Sequence, residues 1–187
     1  MNSKSIFPKN KEVIEQFEAK HLQAAFLFKC NPQRCENPSY YEDYLKYNAL
    51  VDGKNGMGNT FVFCEYEKDK VKIIKGFITL KASSVITTND SGTIEGCPAM
   101  EIAELAVAAD YEGEGIGSHL LFYALSVAKR IAKQDMGIRY IATCAAPSAV
   151  GFYEKVLDMA KARESFDIPR ERWNTDCIPL LLRIGEY

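Results

Sequence analysis

The stretch from residue 101 to residue 118 constrains the fold of this chain more than any other. It overlaps the apolar run Met100–Ala108, which has the length and composition of a buried strand. Three glycines follow on alternate positions, Gly113, Gly115 and Gly117, and a helical pattern begins directly after them. Glycine adopts positive φ at little cost and lets a ligand approach the main chain. Alternating glycines can therefore leave successive N–H groups facing one anion.

The residues after these glycines predict an amphipathic helix. Apolar side chains recur every three or four positions between Ile116 and Lys133, as one buried face requires. Cations in the last turns and Gly137 just beyond them suit the negative end of a helix dipole. The positive end of the helix therefore points at the glycine turn and favours a phosphate or pyrophosphate there.

Other phosphate-binding motifs fit this turn less well. A dinucleotide site needs the spacing G-x-G-x-x-G with an acidic ribose anchor about twenty residues later. A Walker-type loop needs Gly-Lys-Ser/Thr, which is absent. Taken alone, the stretch also leaves open a strand-to-helix turn that binds no ligand.

A second element, Ser148–Lys155, makes the pattern specific. The turn Glu112–Gly117 resembles the acetyl-CoA motif of the GNAT superfamily of N-acetyltransferases, Gln/Arg-x-x-Gly-x-Gly/Ala between a strand and a helix. The sequence Ser-Ala-Val-Gly-Phe-Tyr-Glu-Lys is similar to the family's AxxFYxK helix, which lies beside the thiol arm of the cofactor. The two elements occur in the family's order.

The resemblance implies an α/β (α+β) fold. A mixed, mostly antiparallel sheet of about six or seven strands would be flanked by helices, with a splayed strand pair at the cofactor site. One N-acetyltransferase domain is expected over residues 1–187, with a core at 60–184 and a helical, acceptor-side segment at 1–58. Within that segment the pattern predicts a helix over Lys9–Lys20 and a strand over Ala24–Lys29.

Two further patterns can be read from the residues themselves. A helix is predicted from Ser39 to about Leu50, with a tyrosine-rich face that either packs in the core or lines an acceptor pocket. Alternating apolar and polar residues in Thr60–Glu65 and Val71–Lys81 predict a β-hairpin.

The resemblance also implies the co-substrate and the residues that hold it. Acetyl-CoA would donate its acetyl group by direct attack of a primary amine, without a metal. Main-chain amides near the end of the strand would bind the pantetheine and the thioester oxygen. The residues implied to contact the cofactor are Leu105, Ala106, Val107, Glu112, Gly113, Glu114, Gly115, Ile116, Gly117, Ser118, Ala146 and Phe152.

Two residues depart from the family pattern. Glu112 replaces the usual Gln or Arg, and its charge opposes a pyrophosphate unless the carboxylate faces solvent or pairs with a base. Ala146 replaces an Asn often found seven residues before Tyr153, which removes one hydrogen bond to the pantetheine arm. These departures motivate an alternative function, a catalytically silent acetyl-CoA- or CoA-binding module with a regulatory or interaction role.

The resemblance implies Tyr153 as the general acid. A phenol has an unperturbed pKa of about 10, so it stays protonated at neutral pH and can donate to the departing thiolate. Glu101 and Glu104 are the candidate bases. Their offset of three places them on opposite faces of a regular strand, so at most one would face the acceptor. A third alternative has no side-chain base, because an amine can lose its proton to solvent.

The composition of the chain limits its expected partners and cellular compartment. A formal charge of −2 over 187 residues argues against a strongly nucleic-acid-binding surface overall. The chain shows neither a membrane-spanning run nor a secretory signal, so a cytoplasmic protein without membrane partners is expected. Its six cysteines are expected to be mostly reduced, structural thiols, and with two histidines no zinc set is expected.

The sequence leaves the acceptor open between a small-molecule or peptide amine and a tRNA. Asp176–Leu182, together with Phe28-x-Cys30 and Tyr44-Leu45, resembles a bacterial GNAT subgroup that includes tRNA-acetylating toxins. A small amine requires an acidic pocket. A tRNA requires one continuous basic face beside the thiol end of the cofactor site. The candidates for that face are Lys68, Lys70, Lys72, Lys161, Arg163, Arg170 and Arg172. A homodimer that exchanges C-terminal strands is a further alternative.

Overall fold

One seven-stranded sheet organises the residues that the computed structural model describes, 11–88, 91–161 and 177–185. Its order is β1-β2-β3-β4-β5-β7-β6, and every neighbouring pair is antiparallel except β4 and β5. The strands are β1 (Lys11–Gln16), β2 (Asn59–Glu67), β3 (Lys70–Thr88), β4 (Ile94–Val107), β5 (Tyr140–Ala145), β6 (Ala160–Lys161) and β7 (Ile178–Arg183). The predicted mixed, mostly antiparallel sheet and its β2–β3 hairpin are confirmed.

Helices cover both faces of this sheet. They are α1 (Leu22–Ala25), α2 (Pro38–Asp43), α3 (Ala49–Lys54), α4 (Ile116–Gln134) and α5 (Val150–Leu157). A π-helical turn joins α2 to α3, which confirms the helix predicted from residue 39 and extends it to Lys54. None of the described helices is long and apolar enough to cross a membrane.

Two separate apolar cores hold the helices on the sheet. One lies between the sheet and α4 and α5, and its fully buried members include Leu120, Leu121 and Ile141. The other lies on the opposite face under α1 to α3, where Phe28 and Phe77 meet edge to face at 5.4 Å. Burial of side chains this large stabilises each layer by a few kcal/mol per residue, about 1.5–3 for a Leu or Phe.

Two secondary-structure elements predicted for the N-terminal segment are wrong. The helix expected over Lys9–Lys20 is wrong, because Lys11–Gln16 forms the edge strand β1 against β2. Val13 and Ile14 are adjacent β-branched residues that suit a pleated edge better than a helix. The strand expected over Ala24–Lys29 is wrong as well, since α1 occupies its start and the small buried Ala24 and Ala25 pack closely on the second core.

A bulge in β4 sets which side chains face the site. Thr79 of β3 pairs with Glu104, and the next β3 residue pairs with Ile102, so Ala103 has no partner on β3. One extra residue in a strand shifts the alternation of every side chain beyond it. Ile102 and Leu105 consequently pack in the same core, although a regular strand would place them on opposite faces.

Candidate active site

The glycine turn leaves main-chain N–H groups uncapped at the start of α4. Gly113 and Gly115 have φ values of +84° and +81°, in the left-handed region that glycine adopts at little cost. Gly115 immediately precedes the first helical residue, and among the described residues no side chain caps this end of α4. The first amides of a helix have no partner within the helix. The turn therefore presents donors and the positive helix end to an anion.

Gly117 sets the distance between this turn and α5. A Cβ on Gly117 would lie 3.0 Å from Cζ of Phe152, so any larger residue would push that ring away. Phe152 in turn contacts Tyr153 edge to face, with the ring centroids 5.4 Å apart. The glycine turn and the helix that carries Tyr153 thus form one packed unit, which explains why two motifs distant in sequence occur together.

The pair of β4 and β5 splays apart beside the turn. The two strands pair only from Ala99 with Tyr140 to Ile102 with Thr143, and β4 then continues to Val107 without pairing to β5. At this vertex Thr143 Oγ1 donates to the carbonyl oxygen of Ile102 at 2.9 Å. The predicted splayed pair is confirmed, and it exposes the main chain of the last β4 residues along one edge.

A cavity of about 440 Å³ opens from the vertex of this splay. Its walls come from the N-terminal loop, from the last β4 residues with Glu112, and from the segment between β5 and α5. The lining residues are Cys30, Arg34, Cys35, Glu36, Asn37, Tyr40, Tyr41, Leu105, Ala106, Val107, Glu112, Cys144, Ala146, Ser148, Ala149 and Cys177. The structure therefore brings four sequence-predicted cofactor residues together with Glu112 in one cleft.

Tyr153 lies buried near the vertex. Its side chain is 6% exposed, and burial raises the pKa of its hydroxyl well above the ordinary value for tyrosine. A hydrogen bond with the Thr143 side chain opposes this rise, while the charges of Tyr41 and Glu104 add to it. The hydroxyl is therefore protonated throughout the physiological range and is available as a proton donor.

The bulge at Ala103 overturns the expectation that Glu101 and Glu104 face opposite ways. Glu104 packs toward α2, where it accepts a hydrogen bond of 2.6 Å from Tyr40 Oη. Glu101 is near enough to influence the titration of Glu104, and it forms a 3.1 Å ion pair with Lys81 Nζ. Both carboxylates therefore lie on the same side of β4.

The two carboxylates nevertheless differ in their surroundings. Burial raises the pKa of Glu104, and the hydrogen bond from Tyr40 and the charge of Lys81 only partly offset that rise. Glu101 is paired directly with Lys81. The burial of Glu104 therefore favours its protonated form more than exposure to solvent would.

Glu112, the acidic departure from the family motif, is neutralised by a residue that belongs to neither sequence motif. Arg34 Nη1 lies 3.4 Å from Glu112 Oε2, and Asn31 Nδ2 donates to the same oxygen at 3.1 Å. The Arg34 side chain is 72% exposed, so most of its donors remain free of this pair. The sequence contained only an indirect indication of this contact, because a glutamate beside an anion-binding turn suggests a basic partner without identifying it.

The N-terminal loop that carries Arg34 is fixed at both sides of the cleft. The amide of Ala109 donates to the Lys29 carbonyl oxygen at 2.8 Å, which ties the loop to the end of β4. On the other side, Ser148 Oγ donates to Glu36 Oε1 at 2.8 Å. The loop therefore forms a second wall of the cleft.

The cysteines correct the expectation of reduced thiols. Cys144 and Cys177 form a disulfide that joins the end of β5 to the residue before β7, with 5.4 Å between their Cα atoms. The other four cysteines, Cys30, Cys35, Cys64 and Cys97, take part in no disulfide. The expectation failed because the pairing of β5 with β7 brings Cys144 and the residue just before β7 to a spacing that a disulfide can bridge.

A buried cluster of Glu15, His21 and Cys64 lies outside the cleft. Their ligand atoms lie within 4.8 Å of one another, an arrangement that could in principle hold a metal. The main-chain N–H of Glu18 donates to His21 Nδ1 at 2.9 Å, so the proton on Nε2 is donated to Glu15. With Lys20 Nζ also 2.9 Å from Glu15, the cluster is a satisfied hydrogen-bond network.

The basic hairpin lies far from the vertex. Lys72 is nine residues from Lys81 on β3, which is about 30 Å along a strand, and it pairs with Glu65 at 3.1 Å. Lys68 and Lys70 lie at the same end of the hairpin. The side chain of Lys161 and the whole of Arg163, Arg170 and Arg172 fall outside the described residues.

A splayed parallel pair beside an uncapped helix start is the arrangement that the GNAT resemblance implies. A family model described as an acetyltransferase (GNAT) domain matches residues 58–156, more than half of the chain. The protein therefore belongs to the GNAT acetyltransferase family, a family of acyltransferases, as the two sequence motifs indicated.

Similar proteins include bacterial toxins. A tRNA-acetylating toxin of Mycobacterium tuberculosis (strain ATCC 25618 / H37Rv) is 30% identical over 105 residues, which are 54% of this chain and 60% of that protein. The match thus spans less than two thirds of the relative. Among solved structures, a tyrosine-to-phenylalanine mutant of the AtaT toxin has a TM-score of 0.71 at 15% identity, covering 98% of this chain and 95% of its own. AtaT complexed with acetyl-methionyl-tRNAfMet has a TM-score of 0.70 at 16% identity, with 92% and 95% covered. At these identities the structures establish the fold.

Proposed function

We propose that the protein is an acetyl-CoA-dependent N-acetyltransferase in which a primary amine attacks the thioester directly. The observation that carries the proposal is the splayed β4–β5 pair, whose cleft is lined by Leu105–Val107 and Glu112, next to the uncapped start of α4 and the buried Tyr153. Residues 1–187 would form one catalytic domain, with the segment 1–58 supplying the acceptor side.

The chain's own groups fit an extended thioester with a diphosphate at one end. The amides of Gly113 and of residues 115–118 would bind the diphosphate at the positive end of α4, while the Glu114 amide donates to the Tyr111 carbonyl oxygen. The free edge of Leu105–Val107 would bind the pantetheine amides, and one of its N–H groups would stabilise the developing negative charge on the thioester oxygen. Arg34 compensates for Glu112 by supplying a positive charge next to the turn.

Tyr153 would donate the proton that the departing thiolate requires. Its raised pKa keeps the proton on the phenol until negative charge develops on sulfur, and its burial excludes water that could compete. The hydrogen bond to Thr143 fixes the hydroxyl at the vertex. Tyr153 therefore acts on the leaving group and has no part in binding the diphosphate.

Glu104 would accept the proton of the attacking amine, directly or through a water. It faces the acceptor side of β4, and its raised pKa makes it a better base than an exposed glutamate. Tyr40 holds the carboxylate in place. Glu101, paired with Lys81, would contribute negative charge that attracts the cationic form of an amine.

The described acceptor side carries acids and tyrosines, which favours a compact amine. The charges of Glu101 and Asp52 both act to raise the pKa of Glu104 there, and Tyr44 Oη donates to Asp52 at 3.1 Å. A small-molecule amine or a peptide amino group suits this surface. The second candidate acceptor is the amino group of an aminoacyl-tRNA, which is favoured by the name of the Mycobacterium tuberculosis relative.

One experiment separates the alternatives. Calorimetric titration with acetyl-CoA and CoA is followed by assays of CoA release on polyamines, peptides and charged tRNAs. We expect binding of acetyl-CoA and turnover on at least one amine class. Binding without turnover on any class would support a silent CoA-binding module, and no binding of either nucleotide would refute the proposal.

A further inference from the structure

A disulfide lies where the thiol end of the cofactor is expected. Cys144 is the first β5 residue beyond Thr143, the last residue that pairs with β4, so it lies at the vertex of the splay. Its partner Cys177 lines the same cavity, together with the free edge of Leu105–Val107. Cys144 is exposed and Cys177 is half-buried, so a ligand in the cleft can reach this S–S bond.

We propose that the Cys144–Cys177 disulfide is a site of covalent modification by the thiol of coenzyme A. The inference rests on the proposed function, because acetyl transfer releases that thiol within the cleft. The CoA thiolate attacks one sulfur of the disulfide, the bond between Cys144 and Cys177 breaks, and a new S–S bond joins CoA to one cysteine. The other cysteine leaves as a thiolate and takes up the proton that CoA lost. The step is a thiol–disulfide exchange without net oxidation, so no further reagent is required.

The cleft favours attack by CoA over attack by the protein's own thiols. Cys30 and Cys35 line the same cavity, but burial raises the pKa of both, that of Cys30 to about 12. Attack requires a thiolate, so these two thiols are weak competitors at neutral pH. A bound CoA also has a high effective concentration at the vertex, which a free thiol in solution lacks.

The adduct would make the product an inhibitor. A CoA moiety linked at Cys144 or Cys177 fills the cleft that the next acetyl-CoA must enter, and a reducing agent would release it. Activity would therefore decrease as free CoA accumulates under non-reducing conditions and recover when a dithiol is added.

Non-reducing mass spectrometry tests the proposal on the full chain. Alkylation of the untreated protein first establishes that Cys144 and Cys177 do not react, as expected for cysteines in a disulfide. The protein is then incubated with CoA, acetyl-CoA or glutathione at equal concentrations, and adducts are mapped to peptides. We expect one CoA per chain on Cys144 or Cys177, removable by dithiothreitol, no adduct from acetyl-CoA, and at least about tenfold slower reaction with glutathione.

Two variants locate the adduct on the chain, and a titration separates binding of CoA from formation of the adduct. The double variant Cys144→Ser with Cys177→Ser should form no adduct, and Cys97→Ser, which changes a buried cysteine outside the cavity, should still form it. Binding of CoA by calorimetry without an adduct would overturn this inference and leave the proposed function standing, whereas absence of both would overturn both. Alkylation of Cys144 and Cys177 before treatment, an adduct on Cys30 or Cys35, or equal rates with glutathione would also refute the inference.

Discussion

The cleft has two walls that are built by different means. The first, the motif wall, consists of the end of β4, Glu112 and the segment between β5 and α5, and behind it lie the uncapped start of α4 and the buried Tyr153. The second, the N-terminal wall, consists of residues 29–41, and it offers side chains held by long-range hydrogen bonds. A main-chain site depends on backbone conformation, whereas a side-chain site depends on single residues. We therefore expect substitution of Tyr153 to abolish turnover most completely. Substitutions in the N-terminal wall should change the activity only in part.

The largest effect is expected from Tyr153→Phe, behind the motif wall. Removing the hydroxyl removes the proton donor for the thiolate, so kcat should fall by at least about 100-fold, a typical size for general acid catalysis. The apparent Kd for acetyl-CoA should be unchanged, because the phenyl ring still packs against Phe152. Steady-state CoA release and calorimetry measure the two quantities, and unchanged turnover would remove Tyr153 from the mechanism.

Glu104→Gln tests the carboxylate that lies between the walls. A base works when deprotonated, so wild-type kcat/KM should rise with pH through a value above the ordinary pKa of glutamate, as burial of Glu104 implies. The variant should lose this rise and show kcat/KM lower by on the order of tenfold near pH 8.

Glu101→Gln is the matched control for that variant. Glu101 lies on the same face but is paired with Lys81, so its removal should keep the pH-dependent rise of kcat/KM. If the rise disappears in Glu101→Gln and persists in Glu104→Gln, the assignment of the base is reversed. If both variants retain it, solvent deprotonates the amine.

The strand, turn and helices around the motif wall could be predicted from the sequence, whereas Asn31 and Arg34 of the N-terminal wall could not, for a physical reason. The glycines, α4 and the helix with Tyr153 are specified by residues a few positions apart, so local spacing carries the information. The contact of Asn31 with Glu112 spans 81 residues, and no periodicity reports it. The bulge at Ala103 was not predicted either, because strict alternation of side chains assumes a strand without an extra residue.

Arg34→Gln tests whether the N-terminal wall takes part in binding the cofactor. Losing this charge leaves Glu112 unopposed beside the diphosphate, so CoA affinity should fall about fivefold at low salt and less at high salt, since the pair is exposed. Pantetheine, which lacks the diphosphate, should bind both proteins equally. Calorimetric titration of each ligand provides the measurement.

Two variants control the interpretation of Arg34→Gln. Arg130→Gln removes an exposed arginine near the other end of α4, where it pairs with Asp135 at 3.3 Å, and it should leave CoA affinity unchanged. Adding Glu112→Gln to Arg34→Gln should recover most of the affinity, because no uncompensated acid remains. Equal losses in Arg34→Gln and Arg130→Gln would show that Arg34 acts only through the net charge of the protein.

The smallest expected effect, from Tyr40→Phe, distinguishes a supporting wall from a catalytic one. The phenol stabilises the charged form of Glu104 by donating to it at 2.6 Å, and burial acts in the opposite direction. Removing the phenol should therefore raise the pKa of Glu104 further and move the rise of kcat/KM to higher pH, with little change in its plateau. Tyr47→Phe, which alters an exposed tyrosine of the same helical segment, should leave the profile in place. A lower plateau with an unmoved profile would mean that Tyr40 contacts the acceptor itself, and the N-terminal wall would then belong to the catalytic machinery.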